Sequence, residues 1–127
     1  IDDPIDKLHE AALIFFHKGD INSALNTCNE AIKLNPKQAN TWCLKGLIQT
    51  HIDINQALLC FEEAIRLEKD PFSLQGKALI LLHQNQLNGF ALLHEADALL
   101  KNYPNPAEVW YQRGRLAQAL HRPNYAR

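Results

Sequence analysis

The chain has 127 residues, enough for one domain with a real core if it is compact or stacked. Thirteen Lys and Arg against fourteen Asp and Glu leave a formal charge of −1, with no basic stripe to engage nucleic acid or an anionic membrane. Hydrophobic residues make up 46%, yet the longest apolar runs, Ala11–Phe16 and Ala78–Leu82, are too short to cross a bilayer.

The first unit, residues 5–38, predicts two helices. Leu8 is followed one turn later by Ala12, so a large and a tiny side chain share one face. The KGD sequence at Lys18–Asp20 reads as a turn, and Ala24 and Ala31 mark a second helix that ends in EAIKL before Pro36. Residues 39–70 repeat the plan with Trp42 and Gly46, then Ala57, Phe61 and Ala64, and the ending EAIRL at Glu63–Leu67. Residues 71–106 are less regular. Leu74 and Ala78 fix the first helix, and Leu92, Leu93, Ala96, Leu99, Leu100 and Tyr103 form the stripe of a buried second one. That stripe keeps its register only if the turn near Gln84–Gly89 holds about two extra residues. Residues 107–127 supply Trp110 and Gly114, then Ala126 as a second helix begins; residues 1–4 form a tail.

Trp42 and Trp110 are 68 apart, as are Gly46 and Gly114, and Leu8 and Trp42 are 34 apart. Nothing alternates with the period of two that a strand needs. A period of 34 with small residues at helix crossings resembles the tetratricopeptide repeat, over nearly the whole chain. The resemblance implies an all-α fold, a right-handed α-solenoid of stacked antiparallel helix pairs in which each unit buries its neighbour's apolar face. It also implies that the first helix of each pair lines a concave surface.

No catalytic constellation stands out. There is no Gly-rich phosphate loop, H-E-x-x-H, G-x-S-x-G or C-x-x-C, so neither enzyme activity nor a cofactor is expected. Cys28, Cys43 and Cys60 fit no zinc spacing and sit among apolar helix residues. They read as buried packing groups in a reducing compartment, and a cytoplasmic location is expected. With no methionine and Ile1 at its start, the chain is expected to be a piece of a longer parent.

His17, His51 and His83 each fall nine residues after the large residue that opens a unit. Under the resemblance they form a column on the concave side, too widely spaced to share a metal. Their local alternative is a favourable meeting of a protonated ring with a helix C-terminus. Leu13, Leu47 and Leu79 precede them by one turn, and Phe16, Thr50 and Leu82 by one residue. With Tyr111 and Arg115 in the last unit, these residues make the candidate partner-binding groove. Some of the leucines would serve only to pack helices together.

The resemblance implies a scaffold that binds a protein, either a peptide or a helix, through apolar anchors. Family members that clamp the C-terminal carboxylate of heat-shock chaperones do so with Lys, Asn and Arg on first helices. Here the inward places hold His9, Leu13, Cys43, Leu44, Leu47, Phe72 and Gly76, so that clamp is absent. Two alternatives are a repeat segment of a larger enzyme, such as a glycosyltransferase or methyltransferase, and a small chaperone for secreted proteins. A homodimer is also expected, through an uncovered C-terminal patch of Trp110, Leu116, Ala117 and Leu120.

Overall fold

The computed structural model describes residues 3–120. Seven helices occupy them: α1 (Pro4–His17), α2 (Ile21–Leu34), α3 (Ala39–Gln49), α4 (Ile54–Leu67), α5 (Pro71–His83), α6 (Gly89–Leu100) and α7 (Pro106–Leu120). No strand occurs among the described residues. The helices pack in pairs, α1 with α2, α3 with α4 and α5 with α6, and α2 and α4 each pack in turn on the helix that follows. The fold is an all-α solenoid of the tetratricopeptide kind.

Aspartates start most of these helices by accepting hydrogen bonds from amides that the first turn leaves unpaired. Asp20 Oδ1 accepts from the Ser23 N–H at 3.2 Å, Asp53 Oδ1 from Asn55 at 3.0 Å, and Asp70 Oδ1 from Ser73 at 2.9 Å. Pro4 and Pro71 occupy first-turn positions where no N–H is needed. The reversals differ in length. Residues 18–20 connect α1 to α2, whereas residues 84–88 connect α5 to α6. Both turns use a left-handed residue, Gly19 at φ +85° and Asn85 at φ 61°. Each lets a following amide reach back into the helix, Asp20 N–H to the Phe15 carbonyl at 2.9 Å and Gln86 N–H to the Leu81 carbonyl at 2.8 Å.

The core lies where the tiny residues are. Ala12, Ala24, Ala31, Ala57, Ala64 and Ala78 are all fully buried. The tightest crossing surrounds Phe61 of α4, itself fully buried. A Cβ built on Gly46 of α3 would lie 2.9 Å from the Phe61 ring, and one on Gly76 of α5 only 2.6 Å from it. Two glycines on successive first helices thus make the slot that one phenyl ring fills. Gly76 is a packing residue, and its expected place on the inward surface is corrected accordingly.

The last third departs from the regular plan. The α7 helix packs chiefly on α5, and its Leu116 and Leu120 join the cluster built on Ala39, Cys43, Phe61 and Ile80. A polar network holds it there. Gln75 of α5 is fully buried; its Nε2 donates to the Val109 carbonyl at 2.9 Å, and its Oε1 accepts from Arg113 Nε at 2.9 Å. Arg113 also pairs with Asp97 of α6 at 2.6 Å and stacks on Trp110 at 4.3 Å.

This placement overturns two expectations. Leu116 and Leu120 are buried, because α7 turns that face onto α5, so they form no uncovered patch for a homodimer. Trp110 is 52% exposed instead, and nothing described lies within 4 Å of a Cβ on Gly114, so that glycine accommodates no neighbour here. Along α6, Ala96 is buried but Leu99 is 39% exposed, since α5 alone covers much of that stripe. Ala126 lies outside the described residues, as does the start of the expected last helix at Tyr125–Arg127.

Candidate functional site

A cavity of about 260 Å³ opens between the first helices of the units, and no second helix among the described residues contributes to it. Helix α1 provides Leu13, Phe16 and His17; α3 provides Asn40, Cys43, Leu44 and Leu47; α5 provides Phe72; α7 provides Tyr111, Gln112 and Arg115. The amphipathic period explains the α1 and α3 contributions. Leu13 and Phe16 are three apart, and Leu47 lies four after Cys43 and three after Leu44, so each set shares a helix face. The Phe72 ring is braced by Tyr103, with centroids 5.7 Å apart in an edge-to-face arrangement.

Arg115 lines this cavity from α7. Its NH1 donates to the Tyr111 hydroxyl at 3.1 Å, while its guanidinium lies 5.9 Å from the Tyr111 centroid and 5.2 Å from that of Phe16. Phe16 and Arg115 thus bring opposite ends of the helix stack together. A second cavity of about 360 Å³ adjoins the first; it shares Phe16, His17 and Arg115 and continues to Gly19, Ile21 and His51. Phe16 is the common wall, packed edge-on against His51 at 4.8 Å and tilted against His17 at 5.9 Å.

Of the residues expected in the groove, Leu13, Phe16, His17, Leu47, Tyr111 and Arg115 line the first cavity, and His51 the adjoining one. Leu79, Leu82 and His83 are elsewhere, in a separate cavity of about 190 Å³ with Ala117 and Leu120. The reason is α7, which lies over the C-terminal half of α5 and leaves only Phe72, near its start, facing the main cavity. The histidines therefore do not form one column. Thr50 is a further correction: it is fully buried, and its hydroxyl donates to the Gly46 carbonyl at 2.8 Å, so it meets no ligand.

Among the added lining residues, Cys43, Leu44 and Phe72 occupy places the repeat resemblance marks as inward. Asn40 carries no sequence signal. The Cys43 thiol is pushed up to about 12 by burial, and the Gln112 amide approaches its sulfur at 3.9 Å. Burial likewise pushes Cys28 up to about 12 and raises Cys60, so all three remain thiols and pack as small apolar groups. No cluster of three metal-ligating side chains occurs among the described residues.

His9 does not line the cavity but ties α1 to α3, with Nε2 2.7 Å from the Thr41 hydroxyl oxygen. Burial lowers its pKa from the ordinary 6.5, against the opposing pull of Asp6 and Asp3. The folded chain therefore disfavours the charged ring, while the unfolded chain takes up a proton as pH falls through 6.5. Stability present above that pH is expected to decline between about pH 7.5 and 5.5. Denaturant midpoints across this range should show a drop that His9→Gln removes. Equal slopes for the two proteins would contradict the assignment.

Residues 8–38, which span most of α1 and all of α2, match the family model of the tetratricopeptide repeat. This chain carries a tetratricopeptide repeat. No match is found among curated proteins or among solved structures. Tetratricopeptide repeats mediate protein–protein interaction and typically act as non-catalytic scaffolds. The matched unit supplies Leu13, Phe16 and His17 to the cavity, three of its lining residues.

Proposed function

We propose that the chain is a non-catalytic cytoplasmic scaffold whose concave face holds a peptide or helix of a partner protein. One observation carries this reading: among the described residues, the cavity that holds Leu13, Leu47 and Tyr111 is lined only from α1, α3, α5 and α7, the first helices of successive units. A ligand there touches every unit at once, and its apolar side chains replace water against Leu13, Leu44, Leu47 and Phe72. No nucleic acid is expected, because the formal charge is −1 and basic residues are dispersed. No helix among the described residues is long and apolar enough to cross a membrane.

Leu13 is the residue to test. It is 38% exposed, so Leu13→Asn removes an anchor without opening the core. Immobilised wild-type protein should retain a partner that Leu13→Asn loses, and Leu79→Asn, in the separate cavity, should retain it. A partner held equally by all three places the ligand outside this groove.

A further inference from the structure

We infer that the groove selects a partner segment in which an apolar side chain stands beside an aspartate or glutamate, the apolar chain entering the main cavity and the carboxylate meeting Arg115. This rests on the concave-groove reading above and specifies its ligand. The cavity sets the first requirement. Its volume of about 260 Å³ and its walls of Leu13, Leu44, Leu47 and Phe72 suit one large apolar side chain.

The charge requirement comes from the surroundings of Arg115. Arg66, Lys69, Lys77 and Arg113 are paired with Glu63, Glu95, Glu62 and Asp97. Arg115 rests instead on two aromatic rings and one tyrosine hydroxyl, and among the described residues no aspartate or glutamate lines either adjoining cavity. A guanidinium carries five N–H donors in a rigid fork suited to a carboxylate, and the bond to the Tyr111 hydroxyl uses one of them. His17 lines both cavities beside it. The second cavity leads on from Arg115 towards Gly19 and Ile21. A bound chain therefore has somewhere to continue, which favours an internal acidic residue over a chain end.

A random dodecapeptide library displayed on phage tests this when panned on the full chain and on Arg115→Ala and Leu13→Asn. Circular dichroism of each variant confirms retained helicity. Wild-type selections should be enriched in Asp or Glu adjacent to Leu, Ile, Phe or Trp. Arg115→Ala should keep the apolar preference and lose the acidic one, and Leu13→Asn should lose the selected peptides. With the best peptide, exchanging its acid for the matching amide should weaken binding about tenfold, and Arg115→Ala should abolish that difference. An apolar preference with no acidic one, or an acidic one that survives Arg115→Ala, overturns this inference and leaves the groove reading standing. Peptides that bind Leu13→Asn as well as wild type, or selections with no enrichment, overturn both.

Discussion

Phe61→Ala should lower stability by about 3–5 kcal/mol, the usual cost of emptying a fully buried phenylalanine site. Its ring fills the slot between Gly46 and Gly76, so its loss leaves α3, α4 and α5 around a void that main chain cannot easily close. Domains of this size hold only about 5–15 kcal/mol in total, so the variant should be marginal in urea. The converse change tests the same contact. Gly46→Leu should overpack it and cost about 1–3 kcal/mol. Gly76→Ala is more delicate, since alanine favours a helix by about 0.5–1 kcal/mol over glycine while its Cβ meets the ring. A Cβ at 2.6 Å leaves no room without displacing the ring, so the net effect should still be destabilising. In a Phe61→Leu background the clash is relieved and Gly76→Ala should become neutral or favourable, a clear departure from additivity. If Gly76→Ala stabilises the wild-type chain, the crossing is looser than these distances require.

This crossing also shows what could be read from the sequence. The positions that must be small, Ala12, Ala31, Gly46, Ala64 and Ala78, recur at fixed spacing because each allows one backbone to approach another. Steric demands of that kind leave a local periodic mark. The endings EAIKL and EAIRL are equivalent for the same reason, since Ala31 and Ala64 are both fully buried. The path of α7 leaves no such mark. Trp110 and Gly114 repeat the Trp42 and Gly46 pair, yet Trp110 is half exposed and Gly114 faces open space among the described residues. What fixes α7 is polar: Gln75 bonds both Val109 and Arg113, contacts that the spacing of large and small residues does not record.

The candidate site divides along the same line. Leu13, Phe16, His17 and Leu47 converge because they lie on regularly stacked first helices, where register alone predicts neighbours. Thr50 occupies the register position of Phe16. Both are buried, but a phenyl ring is long enough to wall the cavity and a threonine hydroxyl bonds its own helix instead. Leu79, Leu82 and His83 were placed by the same register and are cut off by α7. Register predicts a surface only as far as the stacking stays regular.

The position of α7 supplies the second large expected effect. Gln75→Leu keeps nearly the same volume but removes the partner of the Val109 carbonyl and of Arg113 Nε. A buried polar group left unpaired costs about 1–3 kcal/mol, more when it is charged, so this change should be costly despite its apolar gain. The loss should be local at first. Amides of α7 should exchange much faster, while those of α2 and α4, which share none of these contacts, should keep their protection. Because Tyr111, Gln112 and Arg115 ride on α7, ligand affinity at the main cavity should fall even though none of those residues has changed. Replacing both partners, Gln75→Leu with Arg113→Leu, should cost less than the sum of the single changes, since no buried donor at Arg113 is then left without its acceptor. Uniformly faster exchange across all the helices would show that Gln75 supports the whole stack, and that α7 is not held by this network.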